Sequence, residues 1–423
     1  MRNLGNLALI LSLVALAASG TKAQELNLEE LAQAAQETPD NPASQSRYAD
    51  ALLRAGEFAQ AQRAWEAAAR LQRGNASAAY DIARPSFEQD DYRTAQRACR
   101  TVERIERNGI WARVCRARAF LVWNRSGRAF GELEAALATE ANHYEALLAL
   151  GDAHRLLGAR AEALEAYQRA ERASPGRART SLALGLLYTS QQQQDLAFES
   201  LRASVEQDGN DPRSLLAYAN VTSPSDALSL LQRAQAIRNR WAPLNVAYGN
   251  ALLASGNASG AKDQFELAVA EQGDLPQAHC GLGQALTSLG EYEAAEASLQ
   301  RSLELVPNYA DAVFALAEMY AASGSRERAY AEYRRASGLD PSNPRSLFSA
   351  AQLAMRANRD VLAAGFLDRL FTRHPQHAGA LALYGDIMVI RRESAAARDY
   401  YQRALAGQGP VDRARIQSAL AGL

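Results

Sequence analysis

Lysine is nearly missing from this 423-residue chain: Lys22 and Lys262 are the only two. Arginine carries the rest of the positive charge, and the formal net charge is −1. That balance excludes the global basic field that would point to nucleic acid or an anionic membrane. Histidine is scarce too, at five (His143, His154, His279, His374, His377), and none falls in a His-Glu-x-x-His helix or at metal-ligand spacing. His374 and His377 merely bracket Pro375. Gly281-Leu282-Gly283 lacks the third glycine of a dinucleotide loop, and there is neither a nucleophile elbow nor a phosphate loop. The carboxylates form no convergent pair. No catalytic residue, metal or cofactor is therefore expected, and the chain reads as a non-enzyme. The shortage of lysine and abundance of alanine suggest a GC-rich bacterial genome.

Long apolar runs are lacking as well. The longest, Leu7 to Ala18, spans 12 residues of apolar side chains and serine. It falls short of the roughly 20 needed to cross a bilayer. Arg2 precedes it, and Thr21 and Ala23 stand where a signal peptidase would cut before Gln24. Residues 1–23 thus read as a secretory signal peptide, which predicts a periplasmic protein. Retention of the segment as an inner-membrane anchor is the alternative. No cysteine follows the run to take a lipid.

What the chain has in quantity is alanine at a fixed step. Ala61, Ala95, Ala129, Ala163 and Ala197 are 34 residues apart; after one interval of 30, Ala227, Ala261, Ala295, Ala329, Ala363 and Ala397 resume it. Four residues after each alanine stands a large side chain, as in Trp65, Tyr167, Phe265, Tyr333 and Tyr401. Seven after, the column is mostly small, as in Ala68, Ala170, Ser204 and Ala404. Spacings of 4 and 7 put these columns on one helical face. Twelve before, another small column (Gly151, Gly185, Gly249, Gly283, Ala317, Gly385) marks a first helix packed against the second. Gly56-Glu57-Phe58 and Gly290-Glu291-Tyr292 are the turns between them. Pro175, Pro307, Pro341 and Pro375 close several units.

These residues resemble the tetratricopeptide repeat. Residues 276–309 carry its pattern in Leu282-Gly283, Gly290, Tyr292, Ala295, Leu299, Leu305 and Pro307. The resemblance covers roughly 42–411. It implies an all-α, right-handed superhelical solenoid of about eleven tandem helix-turn-helix repeats, with helical caps at both ends. First helices would line a concave channel and second helices the convex face. The expected organisation is a capping helix in 24–41, repeats one to six in 42–241, repeats seven to eleven in 242–411, and a capping helix in 412–423.

The repeats are not equivalent. Repeat six is shortened by four residues, with Ser223-Pro224-Ser225 at its turn. Repeat five fills its turn with Gln191–Gln194. Pro85 falls inside the first helix of repeat two, where it should kink or break it. Ten arginines lie between 93 and 128, with only Glu103 and Glu106 among them. Arg97, Arg100, Arg104 and Arg107 share one face of a second helix. With Arg113, Arg116, Trp111 and Trp123 they form a candidate basic patch for an anionic partner. A solvated face on a drifted repeat is the other reading. Cys99 and Cys115 lie on antiparallel neighbouring helices, where either a disulfide or two buried thiols fits.

Some members of the family grip an acidic C-terminus with Lys, Asn and Arg at set positions of the first helix. Here the fifth position is mostly apolar: Tyr80, Leu148, Leu182, Leu216, Val246, Phe314, Phe348. Asn220 and Asn250 occupy the ninth position, but the clamp's Lys and Arg are missing. An apolar partner segment fits such a groove better, although packing between first helices would use the same side chains. The resemblance thus implies a protein-binding scaffold of the cell envelope, in pilus or secretion assembly or in exopolysaccharide export by analogy. A direct binder of an anionic polysaccharide or peptidoglycan, through repeats two and three, is the second reading. An accessory subunit of an envelope enzyme complex is the third.

Overall fold

A computed structural model describes residues 28–423. The segment 1–23, for which the sequence pattern predicts a signal peptide, lies outside the described residues. Every regular element among the described residues is α-helical, and the helices pair and stack as an all-α solenoid. The chain divides into two compact units between Ser214 and Leu215, inside the short first helix Pro212–Ala219 of repeat six.

In each unit the pattern is local. A first helix of 12–14 residues, such as Tyr144–Leu156 or Pro276–Leu289, turns back into a second helix, such as Arg160–Ala173 or Tyr292–Leu305. The turn residue adopts a left-handed conformation. Gly56 and Gly290 do so at φ 81°. Repeat five has no glycine there, so Gln192 takes φ 59° at a cost of about 1 kcal/mol. Several first helices are capped by the polar side chain that precedes them: Asn41 accepts from the N–H groups of Ala43 and Ser44, and Asn75 from that of Ala78. His143 and His377 cap through Nδ1, accepting from the N–H of Ala146 and Ala380. Two of the five histidines are thereby assigned to helix starts.

The small and large columns build the core. Tyr167, Phe265 and Leu299 are fully buried, and each packs on a glycine of the paired first helix, Gly151, Gly249 and Gly283. Where the seventh-after column is serine, its hydroxyl closes a helix end. Ser204 Oγ donates to the Ala178 carbonyl and Ser302 Oγ to the Pro276 carbonyl.

The irregular repeats have physical causes. Pro85 splits the first helix of repeat two into Ala76–Asp81 and Arg84–Glu88, and sits in the first turn of the second piece, where a missing N–H costs nothing. In repeat six, Ser223 caps the second helix Pro224–Ile237 by accepting from the Asp226 N–H. Helix Leu28–Glu37 precedes the first repeat, and helix Arg413–Ala421, anchored by the buried Ile416, follows the last. No described helix is long and apolar enough to cross a membrane.

Candidate functional site

Several neighbouring first helices contact one another and form a wall within each unit: Ala76–Asp81, Ile110–Val122, Tyr144–Leu156 and Ala178–Ser190 in the first, and Ala242–Ala254, Pro276–Leu289 and Ala310–Ala322 in the second. Leu148 and Leu182 are buried between them and lend little to its surface, while Leu216 and Val246 are half-buried. Asn220 and Asn250 are exposed. In the second unit Phe314 is buried under the Arg345 guanidinium, 4.2 Å from its ring centroid, and Phe348 packs on His377.

The first unit departs from the expected apolar groove. Its wall is crossed by a network of ion pairs, half-exposed at Asp50 and most deeply buried at Arg118, Glu145 and Asp211. Arg84 bridges Asp50 at 2.8 Å and Asp81 at 3.6 Å. Arg179 donates to Glu145 Oε1 at 2.6 Å, and the Tyr80 hydroxyl donates to Glu145 Oε2 at 3.3 Å. Arg213 pairs with Glu88 and with Asp211. Arg118 lies 3.7 Å from Glu145 and 3.6 Å from Asp152. Burial raises the Glu145 pKa, but the Arg179 and Arg118 charges more than reverse this and hold it at about 2. Asp81 goes the other way. Burial lifts it to about 6 despite Arg84, helped by the nearby Asp50 and Glu145 charges. Burial also drives the Tyr80 hydroxyl well above its ordinary range, so it is a permanent donor.

The profile of the tetratricopeptide repeat matches residues 47–104, 116–178, 160–212, 246–310 and 280–344. The chain belongs to the tetratricopeptide repeat family. Solved structures similar to it include a tetratricopeptide repeat protein from Parabacteroides merdae, 15% identical, covering 58% of this chain and 97% of that one with a TM-score of 0.47. Yeast Tom70 is 10% identical over 91% of this chain and 96% of its own, with a TM-score of 0.46. YrrB, described as a TPR protein with an unusual peptide-binding site, is 24% identical over 44% of this chain and 97% of its own, with a TM-score of 0.32. A search of curated proteins finds no match.

The basic patch of this tetratricopeptide repeat protein separates into two groups. Arg97, Arg100, Arg104 and Arg107 are exposed along the second helix Tyr92–Ile105 and just beyond it. Arg97 donates only to Thr94, and Arg104 to Thr101 and the Arg100 carbonyl. Arg113 and Arg116, in contrast, are already paired. Arg116 grips Glu132 with two bonds of 3.0 and 2.8 Å and reaches Glu103 at 3.2 Å; Arg113 stands 3.5 Å from Glu132. Glu106 is consumed by capping, accepting from the Trp111 and Ala112 N–H groups. The two tryptophans also part company. Trp111 packs on Tyr80 and His143, while Trp123 stacks on Tyr92 under Arg125. Sequence reasoning missed Glu132, which comes from the next helix of the repeat. Cys99 and Cys115 are joined as a disulfide linking the second helix of repeat two to the first of repeat three. Cys280 is free and buried.

A signal for the network does exist in a tetratricopeptide sequence. Asp50 and Arg84 are one repeat apart, as are Glu145 and Arg179, so each pair holds one position in neighbouring repeats. Side chains sharing a position lie side by side in the stack, so opposite charges at the repeat step mark a cross-repeat bridge. A second rule holds inside the repeats. Wherever the large column is tyrosine, its hydroxyl donates to an acid 15 residues earlier: Tyr167 to Asp152, Tyr333 to Glu318, Tyr401 to Asp386.

Proposed function

We propose that the protein is a non-catalytic scaffold of the bacterial cell envelope that binds segments of partner proteins along its first-helix wall. The observation that carries this reading is the wall itself: neighbouring first helices in contact, with polar and apolar side chains presented in register one repeat apart. The family assignment supports an interaction module. The envelope location rests on the signal-peptide pattern of residues 1–23, with the Cys99–Cys115 bond fitting an oxidising compartment.

The test places a photo-crosslinking amino acid at Asn250 on the first-helix wall, or at Val361 on a second helix, 74% exposed. Crosslinking is done in periplasmic extract, and adducts are identified by mass spectrometry. One defined protein should be captured from Asn250 and not from Val361. Equal capture at both positions, or none at Asn250, would remove the wall from consideration. N-terminal sequencing of the exported protein should begin at Gln24.

Binding of an anionic envelope polymer is the second reading, favoured by the exposure of Arg97, Arg100, Arg104 and Arg107. Charge reversal at Arg100 and Arg104 should abolish polymer capture at low salt if it holds.

A further inference from the structure

The first-helix wall of the first unit contains a cavity of about 140 Å³. Its charged lining is Arg118, Arg155, Arg179 and Arg213 with Glu88 and Asp152. The rest is mostly aliphatic: Leu148, Leu182 and Ala183, with the half-exposed Leu186. That volume is four or five times the roughly 30 Å³ share of one water. It suits one side chain and excludes a folded polymer.

Two of the four arginines are already satisfied. Arg179 is bonded to Glu145, and Arg213 is held by Glu88 and Asp211. Arg118 is not. It is only 14% exposed, its Nε and Nη2 are buried without any hydrogen bond, and its acids stand off at 3.6 and 3.7 Å. One of those acids, Asp152, already accepts the Tyr167 hydroxyl at 2.8 Å. A buried guanidinium with empty donors is costly to leave, and a carboxylate is the group whose two oxygens match its fork. Arg155 adds an exposed guanidinium that forms no ion pair among the described residues. Counted with Glu145 and Asp211, the four arginines face four acids (Glu88, Glu145, Asp152 and Asp211), so the cluster is neutral as a whole and its unused donors are those of Arg118, which suits a single carboxylate and disfavours phosphate or a polyanion. Leucines around a deep guanidinium suit a carboxylate carried on methylenes.

We infer that this cavity is a receptor for the carboxylate of an acidic side chain, glutamate foremost, in a partner segment flanked by aliphatic residues. The inference rests on the protein-binding reading above and narrows it to one subsite in the first unit. Arg118 receives the carboxylate, Arg155 covers it from solvent, and Leu186, the exposed leucine of the lining, takes the stem and its aliphatic neighbour, with the buried Leu148 and Leu182 behind it. Selectivity follows from the same geometry, because an amide offers the guanidinium one acceptor oxygen where a carboxylate offers two.

The experiment titrates the full-length protein with three peptides, followed by saturation-transfer NMR and calorimetry. They are acetyl-Ala-Leu-Glu-Leu-Ala-amide, its Gln counterpart, and acetyl-Ala-Leu-Ala-Leu with a free C-terminus. The Glu peptide should bind at least about tenfold more tightly than the Gln peptide. Arg118→Met should remove that preference, while Arg172→Met, exposed on the second helix Arg160–Ala173, should leave it intact. Thermal melts report whether Arg118→Met is folded. Should it unfold, Arg155→Met carries the test: that residue is exposed, and its loss should weaken the Glu peptide alone. Equal affinity for Glu and Gln peptides overturns the inference. So does preference for the free C-terminus, or no binding of the Glu peptide. None of these touches the scaffold reading, which stands or falls on capture from Asn250 in the second unit.

Discussion

The packing of Phe265 gives the sharpest quantitative prediction. Its ring is fully buried and lies between two glycines of successive first helices, Gly249 and Gly281. A Cβ added at Gly281 would stand 2.2 Å from Cε1 and 2.3 Å from Cζ of that ring. The clash is with the body of a rigid aromatic, so no flexible end can swing away. Overpacking of this kind costs about 1–3 kcal/mol. Replacing a helical glycine by alanine returns about 0.5–1 kcal/mol of backbone entropy. Sterics win, and Gly281→Ala should destabilise by about 1–2 kcal/mol. For a unit of this size that is a fall of roughly 2–8 °C in melting temperature. The control is Gly365→Ala, exposed in a second helix with nothing within 4 Å of its Cβ. It should instead gain about 0.5–1 kcal/mol. Urea unfolding followed by circular dichroism measures both, and hydrogen exchange shows whether the loss is confined to repeats seven and eight. Phe265→Leu combined with Gly281→Ala should be less damaging than the sum of the two. The clamp is refuted if Gly281→Ala proves as stabilising as Gly365→Ala.

Three further outcomes are expected. Reduction of the Cys99–Cys115 bond, which closes a loop between residues 16 apart, should cost about 3 kcal/mol, read as a lower melting temperature in reductant; an unchanged melt would count against a structural role. Arg116→Met removes both hydrogen bonds to Glu132 and leaves it only Arg113, 3.5 Å away, so it should destabilise by about 1–3 kcal/mol, whereas Arg100→Met on the exposed stripe should stay within about 0.5 kcal/mol; equal urea midpoints would contradict the pairing. Asp81 holds its proton more tightly folded than unfolded, at about 6 against an ordinary 3.8, so its penalty is absent below pH 3.8, grows as pH rises, and is complete above pH 6. Asp81→Asn should therefore stabilise at pH 7.5 by about 1 kcal/mol, discounted from about 3 because the side chain is 32% exposed, and should be neutral near pH 3.8; the same offset at both pH values would refute the assignment.

The fold was legible because its determinants repeat. Eleven alanines in phase, with a large residue four later and a small one twelve earlier, leave few arrangements other than stacked helix pairs. Pro85 announced its helix break, since ring and missing N–H act locally wherever the chain goes. The first-helix wall was harder to read. Leu148 and Leu182 look like groove residues in a column, but whether an apolar side chain faces a partner or a neighbouring helix depends on helix rotation, which a column does not encode. Arg116 looked unopposed because its acids were sought nearby in sequence, while Glu132 lies 16 residues on across a turn. Arg118 is, in the sequence, only one of the ten arginines between 93 and 128. Nothing short of its neighbours in space distinguishes a buried guanidinium from a solvated one.

The pair of glycines around Phe265 also bears on how such a chain can change its length. Removing repeat eight as an intact 34-residue block would bring Ala315 to the place that Gly281 holds, against a ring with no room for a methyl. Repeats seven and eight are thus spelled in an order: the second is edited to fit the first. Shuffling, duplicating or excising repeats here should need compensating substitutions at the seam, and shorter or longer descendants of this chain should carry them.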